Sequence, residues 1–175
     1  MALVVFLRGI NVGGHRTFRP SLLAAQLKDY DVVNVGATGA FVVRKPVSQA
    51  RLRAELLAKL QFEAKVMICK SEDLVSLASA DPFASRPSRL DVIRFVSVLE
   101  KRPRTAPLIP LSLPTEREWI LKILGTQGRF VYGLYRRQMK AIGLLGSIDK
   151  LFGVPAMTRN WNTINTIVDI VQSGK

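Results

Sequence analysis

Leu3-Val4-Val5-Phe6-Leu7-Arg8-Gly9-Ile10-Asn11-Val12-Gly13-Gly14-His15 opens the chain with an unbroken apolar run that stops at a glycine-rich turn. Consecutive apolar residues with β-branched members predict a strand buried on both faces, from Leu3 to Leu7. Glycines at 9, 13 and 14 let the backbone turn sharply and approach a ligand with no Cβ in the way. A helix predicted after the turn sets free N–H groups beside it, which suits phosphate, sulfate or carboxylate. The same glycines serve a plain strand-to-helix turn equally well. Their spacing fits neither the dinucleotide fingerprint nor the phosphate loop ending in Gly-Lys-Ser/Thr.

Outward from this stretch, Thr17 is expected to cap a helix with Pro20 in its first turn and Leu22, Leu23, Gln26 and Leu27 at helical spacing. Asp31 to Ala37 and Ala40 to Arg44 read as strands joined by a tight hairpin at Thr38-Gly39. Pro46 to Leu60 is amphipathic, with Leu52, Leu56, Leu57 and Leu60 on one helical face. Ala64 to Cys69 closes the unit as a strand. The order β-α-β-β-α-β is the split βαβ, ferredoxin-like pattern, whose helices cover one sheet face and leave the other for a ligand, a partner domain or solvent.

Ser71 to Ala80 reads as a short helix stopped at Asp81-Pro82, and the polar connector Ser85 to Arg89 sets the division into a first half, 1–84, and a second, 85–175. In the second half Asp91 to Leu99 is a predicted strand. Residues 102–114 hold four prolines and read as a long loop without regular structure. The capping box Thr115-Glu116-Arg117-Glu118 predicts a helix through Leu124. Phe130 to Tyr135 and Met139 to Leu144 read as a strand pair, and Ser147 to Phe152 as a helix ended by Gly153. Ile164, Ile167, Val168 and Val171 mark a closing helix, Trp161 to Ser173, capped by Asn160 or Asn162, with Trp161 packed in the core. The expected fold is α+β with two ferredoxin-like halves, the second less regular and followed by the C-terminal helix.

Composition narrows the function. With 48% hydrophobic and 22% charged residues the chain is an ordinary globular one. Twenty-six Lys and Arg against thirteen Asp and Glu give +13, a balance that attracts polyanions and also aids solubility. The basic residues are scattered, with no run of five like charges. His15 is the only histidine and Cys69 the only cysteine, so no intramolecular disulfide and no His- or Cys-based metal cluster is expected, and no cofactor. The opening apolar run reaches Arg8 too soon for a signal peptide, and nothing approaches the roughly 20 apolar residues of a membrane span. A cytoplasmic protein with no membrane partner is the expectation. Aromatics at 7% argue against an RNA reader that stacks bases on its sheet.

Leu7-Arg8-Gly9-Ile10-Asn11-Val12-Gly13-Gly14 near the start, Asp81-Pro82-Phe83 in the middle and Thr158-Arg159-Asn160-Trp161-Asn162-Thr163 near the end together resemble the family known as domain of unknown function 1697. The resemblance spans nearly the whole chain. It implies a bacterial-type, two-part α+β protein with ferredoxin-like halves, and no activity or catalytic residue to carry over. Members commonly carry Gln-Ser-Gly-Asn in the first hairpin, where this chain has Ala37-Thr38-Gly39-Ala40 and so lacks both amides. Met157 stands where threonine is frequent.

These residues point to a phosphate-bearing or other anionic ligand, nucleic acid slightly favoured, held at the glycine-rich loop and the Arg-Asn segment. Arg8, Asn11, Gly13, Gly14, Arg16, Thr38, Arg159 and Asn160 are the candidate ligand-binding residues. A second reading is an enzyme acting on a small phosphorylated or carboxylated metabolite, with Asn11 and Asn160 as orienters, Arg8 and Arg159 as electrostatic stabilisers and Thr38 as a hydroxyl donor. No base or nucleophile is apparent for it, so no catalytic residue is named. A third is a protein-interaction module. Oligomeric state is not legible in the sequence.

Overall fold

The computed structural model describes residues 2–8, 19–60, 64–86 and 88–174. The chain divides into two compact units, Met1–Ser79 with Asn165–Lys175, and Ala80–Ile164.

In the first unit the elements run β1 (Leu3–Arg8), α1 (Pro20–Gln26), a 3-10 turn (Lys28–Tyr30), β2 (Val32–Val35), β3 (Ala40–Val43), α2 (Gln49–Lys59), β4 (Lys65–Lys70) and α3 (Ser71–Ser79). The sheet order is β2-β3-β1-β4 and every neighbouring pair is antiparallel, with Val5 opposite Phe41 on one side and Ile68 on the other. Side chains alternate across a strand, so Leu3, Val5 and Leu7 join Phe41, Val43, Val66 and Ile68 on one face. Leu23 of α1, Leu27 just after it, and Leu52 and Leu56 of α2 bury that face in a single cluster. Ser48 caps α2 by accepting from the Arg51 N–H at 3.1 Å. Thr17, the expected cap of α1, lies outside the described residues.

The second face of this sheet, which the sequence left to a ligand, a partner domain or solvent, is buried as well: Val4, Phe6, Ala40 and Val42 have no exposed surface. The cause is visible in β1, where residues of both parities are apolar, so neither face tolerates water. The hairpin forms as expected, with Gly36 and Gly39 at positive φ on either side of Ala37-Thr38.

The second unit holds β5 (Val92–Leu99), β6 (Leu111–Leu113), β7 (Leu121–Gln127), β8 (Phe130–Arg136), α4 (Met139–Gly146), α5 (Ile148–Phe152), β9 (Ala156–Asn160) and the start of α6 (Trp161–Ser173). Its antiparallel sheet is ordered β6-β7-β8-β5-β9. Phe95, Leu99, Leu121, Ile123 and Val131 of one face pack with Ile148 and Phe152 of α5, and Leu144 and Leu145 of α4 close over them.

Three sequence expectations fail in this unit. The capping box at Thr115 opens no helix: Leu121 and Ile123 are buried while Lys122 between them is half-exposed, and this period of two makes β7. Met139 to Leu144 is a helix, because β8 takes its partner from the other side, turning back on β7 at Gly128, whose φ is +57°. The proline-rich stretch does hold one strand, β6, a three-residue edge strand between Pro110 and Pro114, where a missing N–H costs least. Strand β9, read in the sequence only as the approach to the last helix, forms the opposite edge. The helices α3, α5 and α6 form as predicted, and Gly153 ends α5 at φ +70°.

Candidate functional site

Strands β5 and β9 run antiparallel with Phe95 opposite Asn160. Beyond that pair the chain leaves β9 and turns at once into α6. Asn160 makes the turn: its Oδ1 accepts from the Thr163 N–H at 2.8 Å and from the Thr163 hydroxyl at 3.0 Å, the geometry of an N-cap. Trp161 is buried as expected, edge-on to Phe83 with ring centroids 5.0 Å apart.

A cavity of about 250 Å³ opens at this point, lined by Ser88, Arg89, Leu90, Val92, Ile93, Arg94, Arg137, Asn160, Trp161 and Asn162. Three of these are arginines, and no carboxylate is among them. Each arginine is braced. Arg94 donates to the Arg86 carbonyl and lies 5.6 Å from the centre of the Phe83 ring. Arg137 Nε donates to the Leu90 carbonyl at 2.8 Å. Arg89 makes two 3.2 Å hydrogen bonds to Asp91, whose carboxylate is also 3.7 Å from Arg136. Bracing reduces the side-chain entropy that binding an anion would otherwise cost. The start of α6 adds the positive end of a helix dipole to the same cavity.

Of the residues chosen from sequence, Asn160 lines this cavity. Arg159 does not. Paired with Val96, Arg159 stands on the sheet face that also carries Arg94 and not on that of Thr158 and Asn160, yet it is not among the residues lining the cavity. Its guanidinium donates to the Thr158 carbonyl at 2.8 Å, and burial pushes its pKa down to about 10, which leaves it charged at neutral pH.

In the first unit Arg8 ends β1 opposite Lys65, and the Leu7 N–H donates to the Gly39 carbonyl at 2.8 Å, which sets the exposed Thr38 turn beside the end of β1. Asn11, Gly13, Gly14 and Arg16 lie outside the described residues.

Arg89, Arg94 and Arg137 line the cavity but were not singled out from the sequence. One signal was present. Arg94 interrupts the apolar strand Val92-Ile93-Arg94-Phe95-Val96, where a charge needs a reason. Nothing local marks Arg89 or Arg137, which come together only through the β5–β8 pairing.

Among the described residues no group of His, Cys, Asp and Glu is placed to hold a metal ion, and no helix is long and apolar enough to cross a membrane.

No curated protein matches the chain. Among solved structures, that of the conserved bacterial protein SP0830 from Streptococcus pneumoniae is similar, with a TM-score of 0.62, 15% identity, and coverage of 97% of this chain and 98% of that one. At that identity the likeness is one of fold. A family model matches residues 1–121, and the chain belongs to the family it describes, protein of unknown function (DUF1697).

Proposed function

We propose that this protein binds a phosphate-bearing or other anionic ligand, nucleic acid slightly favoured, at the cleft where β9 turns into α6. The observation that carries the reading is the meeting of Arg89, Arg94 and Arg137 with the start of α6 in one cavity free of carboxylates. At about 250 Å³ it falls below the roughly 300–1,000 Å³ that small-molecule sites occupy. It takes one phosphate group and leaves the rest of the ligand outside, so a polymer backbone suits it better than an engulfed metabolite. Phosphate contacts of this kind position a nucleic acid without reading its sequence, in keeping with the net charge of +13.

The proposal keeps Arg8, Asn11, Gly13, Gly14, Arg16 and Thr38 as a second anion contact, belonging to the first unit. The adjacency of the Thr38 turn to the end of β1 supports it. We read the first unit as ferredoxin-like, supported by its strand order and antiparallel pairings. A bacterial, cytoplasmic setting goes with this reading; the bacterial fold relative and the single buried thiol suit it.

Fluorescence anisotropy with labelled single-stranded RNA and DNA, repeated as salt is raised, tests the reading. Binding is expected at low salt, with a logarithmic salt slope of roughly −0.7 for each phosphate held. Arg94→Gln together with Arg137→Gln flattens that slope. No binding of RNA, DNA or heparin at low salt removes the proposal.

A further inference from the structure

A second cavity, of about 700 Å³, lies in the second unit between the ends of β7 and β8 and the first turns of α4, and its size is that of a small-molecule site. Trp119, Ile120 and Leu144 give it an apolar side, Arg117 and Lys140 stand on the same lining, and two carboxylates share that lining, Glu116 and Glu118, the latter paired with Arg136. Arg136 is already committed: its guanidinium lies 4.3 Å from the centre of the Trp119 ring, bonds Glu118 at 2.9 Å, and donates through Nε to the Trp119 carbonyl at 2.7 Å. It and Lys122, whose ammonium lies 4.6 Å from the centre of the same ring, fix the indole in place. Among the described residues, neither Arg117 nor Lys140 is in an ion pair.

Gly143 lines this cavity from inside α4. Glycine within a helix costs about 1 kcal/mol relative to alanine, so its presence asks for a cause. Close packing is not the cause, since a Cβ built there meets nothing within 4 Å. Gly143 is exposed, and a side chain there would stand at the mouth of the cavity.

We infer that this cavity binds a small amphipathic anion, with a planar aromatic body against Trp119, Ile120 and Leu144 and a phosphate or carboxylate paired with Arg117 and Lys140. An apolar wall with two cations on the same lining, outside any ion pair among the described residues, recognises that combination and discriminates against either half alone. The site shares no lining residue with the arginine cleft and stands or falls apart from it.

Isothermal titration of the full chain with 1-naphthyl phosphate and 1-naphthoate, beside 1-naphthol and inorganic phosphate, is the test. At least one of the two aromatic anions is expected to bind ten times more tightly than 1-naphthol or phosphate, and the tighter of them identifies the acidic group. Gly143→Leu obstructs the mouth of the cavity and is expected to weaken that binding at least tenfold, with a thermal midpoint equal to or above that of the parent. Arg117→Gln with Lys140→Gln brings the anion down to the affinity of 1-naphthol. Arg94→Gln leaves naphthyl binding intact while weakening nucleic-acid binding, which separates the two sites. Equal affinity for 1-naphthol and both anions, undiminished binding by Gly143→Leu, or no binding of any probe at millimolar concentration overturns the inference.

Discussion

Ser97 of β5 and Thr158 of β9 hold their hydroxyl oxygens 2.6 Å apart, directly opposite one another in the strand register. Ser97 has no exposed surface, and Phe95 and Leu99 of the core flank it on the same face. Removing the Ser97 hydroxyl leaves that of the half-buried Thr158 without its mate, which costs about 1 kcal/mol, the low end of the range for an unpaired polar group, whereas removing both is nearly neutral. Ser97→Ala is therefore expected to destabilise the second unit by that amount, and Ser97→Ala with Thr158→Val to recover most of the loss. Urea denaturation of the single and double variants measures this. A double variant no better than the worse single one would show that the pair is not the source.

Gly133 and Gly143 are glycines for opposite reasons. A Cβ on Gly133 would stand 2.1 Å from the Lys122 carbonyl oxygen and 2.9 Å from the ring of the fully buried Phe95, and neither has room to retreat. Gly133→Ala is expected to cost about 3 kcal/mol or more by overpacking. Gly143→Ala meets nothing within 4 Å and is expected to stabilise α4 by up to about 1 kcal/mol. Thermal unfolding of the two variants, moving in opposite directions, is the check.

Legibility from sequence followed how locally each element is encoded. In the first unit α2 announces itself by leucines at helical spacing, and the β2–β3 turn by Thr38-Gly39. Strand β9 carries no such mark, because Ala156-Met157-Thr158-Arg159-Asn160 becomes a strand only by pairing with β5. The failure at Thr115 has the same origin: a capping box is a local bid for a helix, and burial of Leu121 and Ile123 against a sheet outweighs it. The candidate site residues split likewise. Asn160 was legible as a cap, while the arginine cleft exists only through pairing between distant segments.

Tyr30 donates its hydroxyl to Glu55, which Arg51 also touches at 3.4 Å. The Tyr30 hydrogen bond, with Arg51 adding to it, holds the Glu55 carboxyl below its ordinary value, and the same bond pushes the Tyr30 hydroxyl up. A depressed carboxyl stabilises the fold above its unfolded pKa and loses that contribution as pH falls through the folded value. A raised phenol stabilises below its unfolded pKa and loses the contribution as pH rises through the folded value. Tyr30→Phe is thus expected to lower stability by a constant amount between about pH 5 and 9, with the gap closing below about pH 4 and above about pH 10. Denaturation midpoints of parent and variant across that range decide it.

Asn160 has two jobs that one pair of substitutions separates. As the cap of α6 it holds Thr163, and as a lining residue it shares the cleft with Arg89, Arg94 and Arg137. Asn160→Ala removes the cap and is expected to cost about 1 kcal/mol while leaving the charge of the cleft as it was. Asn160→Asp keeps a capping oxygen, and its negative charge suits the start of a helix, so stability is expected to be equal or slightly higher. The same carboxylate, set among three arginines, competes with any anionic ligand for them. Stability and anion binding should therefore move in opposite senses: the alanine variant less stable with RNA binding near that of the parent, the aspartate variant stable with RNA binding weakened at least tenfold. If both variants lose binding in proportion to stability, Asn160 acts on the fold alone and the cleft is not where the anion sits.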